Sequence, residues 1–164
     1  MIVPRLATVD TAVQPPVRTE RGPDESIDGQ VQSALNLFLL LKSPMQMPAL
    51  RTLLQDRRSE VNDALSGLNY VHFARFLPAP DGSALWVITV YDGDLEPYIL
   101  DFVVKLGDIF TEALYFIRDA PPLPVQRFPR EFIAFVKKNN LPVGDWSAYP
   151  QQTVIEIRRK FELT

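Results

Sequence analysis

Residues 69–117 read NYVHFARFLPAPDGSALWVITVYDGDLEPYILDFVVKLGDIFTEALYFI, and this stretch determines much of the fold. Two segments rich in aromatic and β-branched residues, 70–77 and 84–91, flank a Pro-Asp-Gly-Ser turn, which is typical of a β-hairpin. Asp81-Gly82 supplies the positive φ that the reversal needs. Apolar residues at helical spacing then continue over 95–117. The sequence therefore predicts a strand, a turn, a strand and a long amphipathic helix in one continuous piece.

Two further elements precede the hairpin. The apolar run at 34–42 has the length of a strand that is buried on both faces. Apolar residues at three-to-four spacing between 50 and 68 predict a helix, with Pro48 in its first turn and Gly67 at its end.

The elements after the long helix are shorter. A proline-rich loop leads to a short helix that begins near Pro129, and 141–149 is expected to contain a last, short edge strand. Thr153-Val-Ile-Glu156 matches a capping box, which favours a helix over 153–161. The same residues also alternate like a strand, so both assignments remain open.

This order of elements predicts an α+β fold built on the ferredoxin-like βαββαβ plan. The expected sheet is antiparallel and four-stranded, with an extra short helix before the last strand and a C-terminal helix. Residues 31–164 form this single domain. Residues 1–30 carry prolines and scattered charges without periodicity, so they are expected to be a disordered arm or an arm that packs on a partner subunit.

The two faces of the hairpin indicate a partner. If the turn is centred on Asp81-Gly82, two residues that face each other across the hairpin have numbers that sum to about 163. With this pairing, neither face of the hairpin is polar. One face then shows Val71, Phe73, Arg75 and Leu77 beside Trp86, Ile88 and Val90, and the other shows Tyr70, His72, Ala74 and Phe76 beside Val87, Thr89 and Tyr91. Helices on one side of a sheet leave the other side uncovered. A homodimer that pairs sheet with sheet is the simplest cover, and the N-terminal arm is the alternative.

Three segments resemble a known superfamily. Val71-His-Phe-Ala-Arg-Phe76, Tyr91-Asp-Gly-Asp-Leu-Glu96 and Ser147-Ala-Tyr-Pro150 are similar to bacterial proteins of the dimeric α+β-barrel superfamily that carry a YDGDLEPY-type segment. The resemblance covers about 35–161 and implies two ferredoxin-like subunits packed sheet against sheet. The superfamily includes monooxygenases, haem enzymes, isomerases and binding modules, so the resemblance bears on the fold more than on activity.

Composition excludes several function classes. The net charge of −3 lacks the basic excess that nucleic-acid binding requires, so no nucleic-acid partner is expected. The absence of cysteine removes disulfides, thiolate metal sites and cysteine nucleophiles. No apolar run is long enough to span a membrane and no secretory pattern begins the chain, so the sequence predicts a cytoplasmic protein without a membrane partner.

His72 is the single histidine and the weak candidate for a catalytic residue. It would face Tyr91 in the expected register, near Thr89, and this group could orient a flat organic ligand or form a hydrogen-bonded core cluster. Arg75 points from mid-strand into an apolar face, where it would pair with a carboxylate across the dimer or bind an acidic ligand, and Trp86 would hold a substrate. No metal and no cofactor are predicted; haem ligation by His72 is disfavoured, because haem-binding members of the superfamily take their ligand from a helix.

The acidic residues around the long helix have simpler interpretations. Asp92-Gly93-Asp94 resembles the start of a calcium loop, but the later ligands are missing, so Asp92 or Asp94 is predicted to cap the helix. Asp101 is predicted to be a solvated charge on the helix surface.

The leading functional hypothesis is a small homodimer that binds an apolar or aromatic small molecule between sheet and helices. One alternative is a cofactor-independent monooxygenase or isomerase, in which His72 moves a proton. The other is a non-catalytic dimerisation or interaction domain. An open pocket lined by His72 and Tyr91 favours the first two hypotheses, and a solidly packed sheet favours the third.

Overall fold

The computed structural model describes residues 31–141 and 146–162. Three strands and five α-helices follow one another in the described chain, with 3-10 turns at Pro44–Gln46 and Val125–Arg127. The elements are β1 Gln32–Leu40, α1 Met47–Asp56, α2 Arg58–Ser66, β2 Val71–Pro78, β3 Ala84–Asp92, α3 Leu95–Leu114, α4 Pro129–Asn139 and α5 Val154–Glu162. The predicted N-terminal arm, 1–30, lies outside the described residues.

The strands form one antiparallel sheet in the order β1-β3-β2. The predicted ferredoxin-like plan with a four-stranded sheet is therefore wrong for the described residues, which contain an α+β arrangement with three strands. In place of a fourth strand, the chain meets the free edge of β1 at separate points. Asn140 forms an isolated bridge with Leu37, and the Val31 N–H donates to the Pro150 carbonyl at 2.7 Å.

Local chemistry explains the missing strand. The side-chain Oδ1 of Asn140 accepts the Asn36 N–H at 2.9 Å, so a side chain occupies a donor that a strand would pair through its backbone. Residues 142–145 of the predicted strand lie outside the described residues, and Pro150 lacks the N–H that a ladder needs.

The hairpin register is predicted correctly over most of its length. Pairs from Phe73↔Val90 to Pro78↔Leu85 have numbers that sum to 163, and Gly82 adopts a φ of +74° in the turn. A β-bulge between Val71 and Phe73 then shifts the pairing, so that Tyr91 faces Val71 rather than His72. A bulge places two residues of one strand opposite one of its partner. The predicted pairing of His72 with Tyr91 is wrong for this reason.

One face of the sheet packs on the helices and forms the core. Leu35, Leu37 and Leu39 of β1 are almost fully buried, while the residues between them are only partly buried. The strand predicted to be buried on both faces is therefore buried on one. α3 contributes most of the opposing apolar surface, including Phe102 at 3% exposure.

The helix predicted between 50 and 68 is two helices that meet at Arg57. Its backbone leaves helical geometry, and its guanidinium donates to Glu60 at 2.8 Å and to Glu112 of α3 at 2.7 Å. Both hydrogen bonds raise the pKa of Arg57, that to Glu60 more strongly. The ion pair to α3 fixes the junction on the helical layer.

Residues Val154–Glu162 are helical, which decides between the helix and the strand assignment of 153–161. The Thr153 N–H donates to Glu156 Oε2 at 2.9 Å, and the Glu156 N–H donates to Thr153 Oγ1 at 3.3 Å, so the predicted capping box forms. The backbone N–H and the hydroxyl of Thr153 both donate to the Glu156 carboxylate, and these two hydrogen bonds lower the pKa of Glu156. Within 31–141 and 146–162, none of the helices combines the length and apolar character that a bilayer span requires.

Candidate functional site

The sheet separates the predicted site residues into different environments. Thr89 and Tyr91 lie on the core face beneath α3, with 1% and 2% exposure. Trp86 and Arg75 alternate with residues of that face and therefore lie on its opposite side. His72 is at the bulge. The five residues predicted as one ligand site are thus not brought together.

Thr89 and Tyr91 belong to a buried tyrosine cluster. The rings of Tyr91 and Tyr98 stack with centroids 3.8 Å apart and an interplanar angle of 5°. The Tyr98 hydroxyl donates to Thr89 Oγ1 at 2.7 Å. Burial raises the pKa of Tyr98, because the buried phenolate would lose its hydration. The polar atoms and rings that were expected to face a ligand therefore contact α3.

Asp101 extends this cluster, although the sequence predicts a solvated charge. Asp101 is 8% exposed and accepts a hydrogen bond from the Tyr70 hydroxyl through Oδ2. Burial, and next the hydrogen bond to the Asp101 carboxylate, raise the pKa of Tyr70. The signal in the sequence is weak: Asp101 lies one residue before Phe102, so it sits at the margin of the apolar stripe rather than opposite it.

His72 has a defined partner that the sequence analysis missed. Its Nε2 lies 2.7 Å from Oδ1 of Asp92, which is 5% exposed. The other oxygen, Oδ2, accepts the Val154 N–H at 2.8 Å. One carboxylate thus joins the bulge of β2 to the first turn of α5. Asp92 caps α5 rather than α3, whose N-cap residue Asp94 makes no side-chain capping hydrogen bond.

The side of the sheet opposite the core is here called the open face, and it is largely apolar. It consists of Ala34, Asn36, Phe38 and Leu40 of β1, Trp86, Ile88 and Val90 of β3, and Phe73, Arg75 and Leu77 of β2. Phe73 and Leu77 are each 45% exposed and Leu40 is 41% exposed. The predicted apolar character of both hairpin faces is therefore present, and one of these faces reaches the surface.

Aromatic contacts organise the open face. The rings of Phe38 and Trp86 are 4.6 Å apart across the β1–β3 pair, at 52°. The guanidinium carbon of Arg75 lies 5.5 Å from the centroid of the Phe73 ring. Arg75, which is exposed, therefore makes a cation–π contact with an aromatic ring of the same face.

Other kinds of site have less support. Among the described residues, no group of three or more His, Asp or Glu side chains is arranged to hold a metal ion.

Comparisons with protein-family models, with the curated proteins and with the solved structures find no match to this chain.

Proposed function

We propose that this protein is a self-associating interaction domain that packs the open face of its sheet against the same face of a second copy. The observation that carries this proposal is the exposure of Phe73, Leu77 and Leu40 on one three-stranded face, where Leu77 is paired with Trp86. Large exposed apolar patches usually mark interaction sites, because leaving them in water is costly.

The composition of the open face suits a protein interface. Aromatic residues and arginine are enriched at interfaces, and lysine, glutamate and aspartate are depleted. The open face contains three aromatic side chains, Phe38, Phe73 and Trp86, and its only charged residue is Arg75. In a dimer with a two-fold axis, both subunits contribute the same patch to the interface. A single apolar face that is complementary to itself is therefore sufficient to form the dimer.

The size of the face predicts a dimer of low affinity. Three strands about 4.8 Å apart, each with about seven residues in contact, cover roughly 14 Å by 24 Å. Two such faces have a combined projected area of roughly 700 Å², which is below the ~1,200–2,000 Å² of stable specific interfaces and is typical of a weak, transient dimer. The loss of the predicted fourth strand thus lowers the expected affinity, and we expect dissociation in the micromolar range.

The packing of the core supports the non-catalytic alternative over the enzymatic one. The space between sheet and α3 contains a cavity of only about 20 Å³, lined by apolar side chains such as Leu39, Phe76 and Leu106. Ligand sites typically measure about 300–1,000 Å³. The ring of Tyr91 stacks on that of Tyr98, and the Tyr98 hydroxyl donates to Thr89. These contacts occupy the space beside Tyr91 in which a monooxygenase or isomerase would bind its substrate.

Sedimentation velocity over a concentration series tests the proposal. We expect the wild-type protein to shift from monomer to dimer as its concentration rises through the micromolar range. Ile88→Lys introduces a charge at the centre of the open face, next to Arg75 across the β2–β3 pair, and should keep the protein monomeric.

Val104→Lys is the matched control, because Val104 is 69% exposed on α3, away from the sheet face. It should dimerise like the wild type. Circular dichroism melts would show that both variants fold. A wild-type protein that stays monomeric at hundreds of micromolar, or an Ile88→Lys variant that dimerises normally, would contradict the proposal.

A further inference from the structure

A second surface lies on the helical side of the sheet, at its β2 margin. α1 and α2 leave a cleft of about 490 Å³ over the core-facing residues of β2. Its apolar wall includes Leu54, Val61, Leu65 and Phe76, and Arg51 and Arg58 lie at its polar wall. We propose that this cleft binds a small organic carboxylate with an apolar body, such as a medium-chain fatty acid.

The helix pattern explains why the cleft has two chemically different walls. Arg51 and Gln55 lie one turn apart on α1, and Arg58 and Asn62 lie one turn apart on α2, so each helix lines the cleft with a polar pair. Leu54 of α1 and Val61 and Leu65 of α2 form the apolar wall beside these polar pairs. An elongated amphiphile can therefore contact the apolar wall along its body and the polar pairs at its head.

The charge of the cleft favours an anion. The residues that line it include two arginines and no acidic side chain, although the chain as a whole has a net charge of −3. Within the described part of the chain, neither Arg51 nor Arg58 forms an ion pair. Arg57, which lies between them in the sequence, differs from both arginines because it forms ion pairs with Glu60 and Glu112.

The chemistry of the two walls narrows the ligand class. A guanidinium matches the geometry of a carboxylate with two parallel N–H donors, and both arginines are exposed enough to reorient toward it. A free inorganic anion would leave the apolar wall in water, and a neutral lipid would leave the two arginines without a partner. An apolar carboxylate satisfies both walls. The cleft volume lies within the range of small-molecule sites.

The cleft is independent of the proposed dimer interface. Ala74 and Phe76 of β2 contribute to the cleft, while Phe73, Arg75 and Leu77 alternate with them on the open face. Ligand binding therefore does not require self-association, and either proposal can fail without the other.

Isothermal titration calorimetry with decanoate, and with decanol as the neutral analogue of the same chain length, tests the inference. We expect decanoate to bind the wild-type protein at least ~10-fold more tightly than decanol, a difference of about 1.4 kcal/mol. The double variant Arg51→Gln/Arg58→Gln should lose this preference and bind the two ligands equally. The double variant Arg51→Lys/Arg58→Lys should retain part of it, because it keeps the charge without the bidentate geometry.

Arg130→Gln is the control for charge alone, since Arg130 is an exposed arginine of α4 outside the cleft. It should bind decanoate like the wild type. Amide chemical shifts of Leu65 and Ala74 should move on decanoate addition, which locates the ligand. Absence of decanoate binding, equal affinity for decanol in the wild type, an unchanged preference in the glutamine variant, or shifts confined to other residues would each overturn the inference.

Discussion

The contacts of Asp92 explain the structural role of His72, the single histidine of the chain. The Asp92 carboxylate satisfies two groups at once, His72 Nε2 at 2.7 Å and the Val154 N–H at 2.8 Å, and it is itself buried. Buried carboxylates are stable only with such partners. The geometry of His72 therefore fits a structural role at the junction of β2 and α5.

We predict that His72→Phe lowers the free energy of unfolding by about 1–3 kcal/mol, because it leaves one oxygen of Asp92 buried without its partner. Urea denaturation would measure the change. The double variant with Asp92→Ala should be less destabilised than the sum of the single variants, by at least ~0.5 kcal/mol, since the two residues act as a pair. Strictly additive effects would show that the pair contributes nothing to stability.

Buried tyrosines predict how stability depends on alkaline pH. The pKa values of Tyr70 and Tyr98 are raised in the folded state, so both keep their protons there after the unfolded chain begins to lose them near pH ~10. The unfolded state then binds fewer protons than the folded state. Stability is therefore fully present below pH ~10 and decreases as the pH rises, by about 1.4 kcal/mol per pH unit for each such tyrosine.

Tyr98→Phe tests this assignment. At neutral pH the variant should lose about 1 kcal/mol through the hydrogen bond to Thr89. Above pH ~10 its stability should decrease less steeply than that of the wild type, because one of the two protons no longer contributes. Urea melts at several pH values would compare the slopes, and equal slopes would refute a raised pKa at Tyr98.

At the scale of elements, α3 is the main support of the sheet. Phe102 lies in its middle, 3% exposed, with its ring 4.6 Å from that of Tyr98 and 5.7 Å from that of Phe110. Removing this ring leaves a cavity bounded by side chains that are fixed on both sides.

We predict that Phe102→Ala lowers the free energy of unfolding by about 3–5 kcal/mol. Val104→Ala on the exposed side of the same helix is the control and should change it by less than ~0.5 kcal/mol. Denaturant unfolding of both variants would measure the effects. A loss below ~1 kcal/mol for Phe102→Ala would mean that the core beneath α3 collapses around the missing ring.

The elements that were predictable are those with long, consistent patterns. The hairpin has alternating residues and a turn that requires positive φ, and α3 has apolar residues at helical spacing over 20 residues. The bulge at His72 was not predictable, because one extra residue leaves the alternation on either side intact. The fourth strand failed because Asn140 uses its side chain where a strand would use its backbone.

The candidate site was less predictable than the fold for a related reason. The proposed group of His72, Thr89 and Tyr91 depended on register, and the single shift at Val71 separates His72 from the other two. The role of Asp92 as the cap of α5 was also hidden, because its Oδ2 accepts the N–H of Val154, 62 residues later in the chain. Alternation did predict correctly that both faces of the hairpin are apolar, since that property does not depend on long-range contacts.

At the scale of the whole molecule, the two proposed surfaces lie on opposite sides of one thin sheet. The open face is apolar and contains Trp86, while the helical side contains the cleft with Arg51 and Arg58. Under the two proposals, the domain would present one side to a second copy and the other to a ligand.

The tryptophans allow association to be observed directly, since the chain contains only Trp86 and Trp146. Trp146 is 86% exposed, so Trp146→Phe should leave the fold unchanged and make Trp86 the sole reporter. At high protein concentration, a second copy should exclude water from the Trp86 indole. On dilution the dimer should dissociate, so that the Trp86 emission shifts to longer wavelength and its quenching by acrylamide increases. The midpoint should match the dissociation constant from sedimentation, and adding Ile88→Lys should give the dilute spectrum at every concentration. A Trp86 emission that does not change with concentration, while sedimentation shows a dimer, would place the interface somewhere other than the open face.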